Sequence, residues 1–90
     1  MVIKVIIADA FQLSTGGVPL VDVDGDTIGD CMQKVVKQYP DLKKVWFAAD
    51  GTISKYVLLA LNGKIVPGNP VDQTVETGDE LFPMLRMVGG

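Results

Sequence analysis

Ile28, Cys31, Met32, Val35, Val36 and Tyr39 recur at the i, i+3, i+4, i+7, i+8, i+11 spacing of one helix face. No other stretch of the chain has so strong a helical period. Thr27 stands in front as an N-cap, Asp30 follows three residues on as a shorter version of the capping-box acid, and Pro40 stops the helix just past Tyr39. Gln33, Lys34 and Lys37 take the opposite, solvated face. A single apolar stripe must be buried against something. The remaining apolar residues fall in short runs of strand type, so the partner is a sheet.

Val2 to Ala8 is rich in β-branched residues and reads as a strand, and Val18 to Val23 as a second. The polar stretch through Ser14-Thr15-Gly16-Gly17 makes an antiparallel hairpin the simplest link between them. Tyr56 to Leu61 reads as a buried strand, Asn62-Gly63 as a tight turn, and Lys64-Ile65-Val66 as the short return. Asp41 to Ile53 is ambiguous, with Val45-Trp46-Phe47 either a short strand or packed loop. Gly78-Asp79 turns the chain into a last strand, Glu80 to Leu85, whose Pro83 suggests an edge or terminal position. The order is strand, strand, helix, strand, strand, strand. One main helix cradled on a mixed four- to five-stranded sheet is the α+β arrangement called β-grasp, in which the first and last strands can lie side by side in the middle. The expected division is a β-grasp domain over residues 1–86 and a C-terminal Gly-Gly tail over residues 87–90.

Composition removes most chemistries. With no histidine and a single cysteine, Ser-His, Cys-His and His-metal sites and intramolecular disulfides are all excluded. Cys31 lies within the apolar stripe and reads as core. Trp46 and Phe47 read as core as well, and Ser54 has no base to activate it. Asp22, Asp24 and Asp26 alternate as in a calcium loop, but Thr27 falls where such a loop needs its glycine and Gln33 where it needs its bidentate Glu. They read as a turn with helix-start acids, and no metal is expected. The net charge of −3, with eight dispersed basic residues, argues against nucleic acid. The longest apolar run, Val57 to Leu61, is far too short to span a bilayer. The N-terminus lacks the pattern of a signal peptide. The expectation is a cytoplasmic protein, monomeric when free, that is not itself an enzyme.

What remains is the C-terminus, Met87-Val88-Gly89-Gly90. Two glycines without side chains can thread a channel too narrow for any Cβ and take backbone angles closed to other residues. Five residues beyond Leu85 could extend roughly 17 Å, enough to reach a site buried in another protein. The chemistry this serves is acyl activation at Gly90. Its carboxylate attacks a nucleotide α-phosphate, becomes an acyl-adenylate, and then accepts sulfur or an amine. A carboxylate is a poor electrophile until activated, so a partner must supply ATP, magnesium and charge stabilisation.

Gly25-Asp26-Thr27-Ile28-Gly29-Asp30 leading into the helix, Tyr39-Pro40 at its end, Leu61-Asn62-Gly63, Thr77-Gly78-Asp79-Glu80-Leu81 and terminal Val88-Gly89-Gly90 together resemble the ThiS/MoaD family of ubiquitin-like sulfur carriers. The likeness spans nearly the whole chain. It implies adenylation of Gly90 by a ubiquitin-activating-enzyme-like adenylyltransferase that uses ATP and Mg. It further implies conversion of Gly90 to a thiocarboxylate at the expense of a sulfur donor, and delivery of that sulfur to a synthase of molybdopterin, cysteine or thiamine-type biosynthesis. By position, Gly89 and Gly90 inherit the carrier role, while Phe82, Pro83, Leu85, Arg86, Met87 and Val88 would form the docking surface around the base of the tail. Leu85-Arg86 is similar to ubiquitin's approach to its own glycines, and the Thr52 to Leu61 region is similar to carriers in cysteine synthesis. Two alternatives stand beside the carrier reading. One is a ubiquitin-like modifier conjugated to lysines through Gly90, and the other a β-grasp interaction domain that never uses its terminus.

Overall fold

The β-branched run at the start of the chain pairs with the segment that follows it. In the computed structural model, which describes residues 2–86, β1 (Val2–Ile6) and β2 (Leu20–Asp24) form an antiparallel ladder with Val5 opposite Val21 and Ile3 opposite Val23. Helix α1 (Ile28–Gln38) comes next, then the one-turn α2 (Lys43–Trp46), then strands β3 (Val57–Leu61), β4 (Lys64–Val66) and β5 (Glu80–Leu85). The five strands form one mixed sheet in the order β2-β1-β5-β3-β4. β5 runs parallel to β1 and antiparallel to β3, so the first and last strands are neighbours at the centre of the sheet. This is the β-grasp arrangement expected from the element order.

Period decides what is buried. Ile3 and Val5, Val21 and Val23, Val57 and Leu59, and Leu81 all face α1, whose Ile28, Cys31, Met32 and Val35 are fully buried against them. Each such side chain contributes about 1.5–3 kcal/mol relative to exposure. At the start of α1, the Thr27 hydroxyl accepts from the Asp30 N–H at 3.0 Å, as a cap should. Asp30 departs from the capping box, because its Oδ2 accepts from the Asp26 N–H at 3.1 Å, one residue before the cap. Two further orphan donors of the first turn are met from outside the helix: Ile28 N–H donates to Gln73 O at 2.9 Å and Gly29 N–H to Val71 O at 3.0 Å. The segment before β5 thus closes the helix end.

Three expectations are corrected. The link between β1 and β2 is not a plain turn, because Asp9–Thr15 forms a 3-10 helix that drives Phe11 into the core. Phe11 meets Trp46 edge-on with ring centroids 6.0 Å apart. Val45-Trp46-Phe47 is neither strand nor simple loop. Pro40, with φ preset for a first helical position, starts a 3-10 turn (Pro40–Leu42) that continues into α2, and Trp46 is fully buried. Phe47 then makes a single bridge to Ile53.

Pro83, expected at an edge or terminal position, lies inside a central strand. The even-numbered residues of β5 turn their backbone toward β3, since Asn62 N–H donates to Glu80 O at 2.8 Å and Arg86 N–H to Tyr56 O at 2.6 Å. Pro83 therefore faces β1, whose pairing with β5 stops at Val5 opposite Leu81. No ladder bond is lost where Pro83 lacks its N–H.

Candidate functional site

β5 sets the base of the tail. It is clamped between β1 and β3, and Arg86, one residue past its end, is tied by its N–H to the Tyr56 carbonyl. The start of the strand is fixed as firmly. The Asn62 side chain donates to Asp79 Oδ1 at 2.9 Å and accepts from Glu80 N–H at 2.9 Å, while Glu76 N–H donates to Asp79 Oδ2 at 2.8 Å. The Asn62 hydrogen bond, followed by that from Glu76, holds the Asp79 carboxyl below the usual carboxylate range. Asn62 has a φ of 52° and Gly63 of 81°, the left-handed pair of a type I′ hairpin turn. Leu61-Asn62-Gly63 and Gly78-Asp79-Glu80-Leu81, distant in sequence, are thus one interlocked joint.

The helix-facing side of β5 carries Leu81 and Pro83, both buried. Pro83, expected on the docking surface, has its side chain in the core beneath α1's side of the sheet and does not offer it to a partner. Phe82 and Met84 project from the other face and are half-buried. Leu85, at the strand's end, is 50% exposed, and Arg86 is exposed. The expected site residues Met87, Val88, Gly89 and Gly90 lie outside the described residues.

The face of the sheet away from α1 is the unexpected part. Register places Phe82 beside Ala60 and Ala60 beside Ile65, with Met84 beside Leu58 and Ile6 beside Leu20. Ile65 is 53% exposed and Leu20 is nearly as open. A sheet face open to water ordinarily carries polar residues, so a band of Ile6, Leu20, Leu58, Ile65, Phe82 and Met84 is a candidate contact surface. Of these, sequence reasoning singled out Phe82 alone. The available signal was the unbroken apolar run Val57 to Leu61, which has apolar residues for both faces although α1 covers only one.

Other candidate chemistry is closed. Cys31 is fully buried, and burial, followed by the Asp30 charge, pushes its thiol up to about 11, away from a reactive thiolate. Among the described residues no group of three or more His, Cys, Asp or Glu side chains gathers as a metal site. No helix among them is long and apolar enough to cross a membrane. Trp46 and Phe47 are core, as expected.

No protein-family model matches this chain. Small archaeal modifier protein 1 of Haloferax volcanii is 30% identical to it over 84 residues, spanning 92% of this chain and 93% of that protein. The crystal structure of SAMP1 from Haloferax volcanii is similar with a TM-score of 0.77 at 27% identity, each chain fully covered. The fold is also that of a chain in the Amycolatopsis orientalis BexX/CysO complex, with a TM-score of 0.82 at 21% identity over 98% of this chain and 99% of that one.

Proposed function

Since this chain belongs to the ThiS/MoaD family of ubiquitin-like sulfur carriers and modifiers, we propose that Gly90 is its reacting residue and that the chain serves as a protein cosubstrate. The carboxylate of Gly90 attacks the α-phosphorus of ATP held with Mg by a ubiquitin-activating-enzyme-like adenylyltransferase, and pyrophosphate leaves. A sulfur nucleophile at the oxidation level of hydrosulfide then displaces AMP and leaves a thiocarboxylate. That sulfur passes to an accepting synthase of the molybdopterin, cysteine or thiamine type. The chain's own contribution is presentation. Gly89 and Gly90 bring no Cβ into the partner's channel, and β5 holds Glu80–Leu85 in the middle of the sheet.

The observation that carries this reading is the joint between the tail's base and an uncovered apolar face. Phe82 and Met84 belong to the strand that leads to the tail, and they continue the band formed by Ile6, Leu58 and Ile65. A partner that takes the terminus can grip the same strand's open side. The BexX/CysO complex of Amycolatopsis orientalis, a chain of the same fold with a protein partner, is consistent with such docking.

A second reading is supported by the 30% identical relative, which is named as a modifier: the same acyl-adenylate could yield an isopeptide bond to a lysine amine. The deciding experiment co-expresses the chain with the adenylyltransferase of its own genome and weighs it intact. Exchange of one carboxylate oxygen for sulfur supports the carrier. A ladder of Gly90-dependent conjugates that survives reducing gels supports the modifier. A chain that shows neither, and keeps its partners when one residue is added after Gly90, is an interaction domain.

A further inference from the structure

A second apolar surface meets the base of the tail from the helix side. Phe11 and Ser14 of the first 3-10 helix, Lys44 and Val45 of α2, Tyr56 and Leu85 line an open hollow of about 350 Å³. It is separate from the sheet-face band, and Leu85 is its contribution from β5. Val45 and Tyr56 are 41% and 48% exposed, so the hollow's wall leaves large apolar side chains in water.

Basic residues border it. Lys44 lines it, Lys55 lies over the Tyr56 ring with Nζ 5.2 Å from the centroid, and Arg86 is bonded through its N–H to the Tyr56 carbonyl. The neighbouring acid, Asp9, accepts from Gln12 Nε2 at 3.2 Å. Asp79 and Glu80 instead lie at the far end of β5, by the Asn62 joint, and Asp24 at the far end of β2. In a chain with a net charge of −3, this corner gathers Lys44, Lys55 and Arg86 against the acids Asp9 and, three residues before Lys44, Asp41.

Reach determines what must cover it. Four residues separate Arg86 from the terminal carboxylate, and a fully extended chain spans about 3.5 Å per residue. A partner holding Gly90 in its catalytic site must therefore bring its rim to within about 14 Å of Arg86. Leu85, next in sequence, and Tyr56, whose carbonyl accepts from Arg86, put the near wall of the hollow inside that radius.

Resting on the proposed activation of Gly90, we propose that this hollow is a docking seat for the adenylyltransferase, filled by an apolar side chain of that enzyme whose surroundings are acidic. Lys44, Lys55 and Arg86 steer the encounter, and Val45, Tyr56 and Leu85 receive the anchor.

The test is ATP–pyrophosphate exchange by the purified adenylyltransferase of the same genome, with the full chain as the varied substrate. The double substitution K44E/K55E should raise the KM for the chain about tenfold at low salt with kcat nearly unchanged. Wild-type KM should climb with added salt, and that dependence should flatten in the double variant. V45S should raise KM without altering the salt dependence. Circular dichroism and Trp46 emission verify that each variant is folded. If both hollow variants keep KM within about twofold of wild type while Leu58→Gln on the sheet face raises it, the hollow is overturned and the Gly90 reading stands. If wild type itself supports no exchange, both fall together.

Discussion

Gly29 occupies a point where α1 and the segment before β5 approach too closely for a side chain. A Cβ there would meet the Val71 carbonyl oxygen at 2.8 Å, the same oxygen that accepts the Gly29 N–H. Gly29→Ala should therefore cost about 1–3 kcal/mol in urea unfolding, as overpacking does. Thr27→Ala, which removes the cap alone, should cost about 1 kcal/mol. Cys31 offers a test against alkali. Its thiol ionises near 11 in the folded protein against 9.0 when free, so between those values the unfolded chain sheds its proton first. Stability should fall as pH rises through that window and be unaffected by this group below it. The native thiol should also resist a disulfide reagent at neutral pH until denaturant is added, as a colorimetric thiol assay would record. The role of Cys31 was readable in advance, because a residue inside a helical stripe has one direction to face. That of Pro83 was not, because composition does not reveal which neighbouring strand a backbone nitrogen meets.

At the level of elements, α1 and the Asn62-Gly63 hairpin were legible because period and turn chemistry are local. α2 was not, since Lys43-Lys44-Val45-Trp46 is too short to display a period. The sheet's open face escaped for a different reason. A strand apolar on both sides looks the same in sequence whether or not its second side is covered within the chain, and Leu58 lies on the side that α1 does not cover. Leu58→Gln should leave the fold intact by circular dichroism and raise the KM of the adenylation reaction by about five- to tenfold, an interfacial loss of a little over 1 kcal/mol. The joint at Asn62 makes an acid-side prediction. Because Asp79 is held below its free value of 3.8, its contribution is present above that pH and lost as pH falls through its folded pKa. Asp79→Asn should therefore show a shallower decline of the urea midpoint between about pH 5 and pH 3 than wild type.

For the molecule as a whole, the tail glycines were singled out only because they closed an ordered series of motifs, and the apolar surfaces on either side of β5 became visible only once the strands had been assembled. The parallel pairing of β1 with β5 has one more consequence. β5 is the last strand to be synthesised, yet the sheet has no centre without it, because β1–β2 on one side and β3–β4 on the other touch only through it. A nascent chain still short of Glu80 holds two hairpins that cannot merge, and long-range closure of this kind is slow. The two halves of the sheet therefore stay apart until Glu80–Leu85 has been made, and the fold's centre is the last part of the sheet to be assembled.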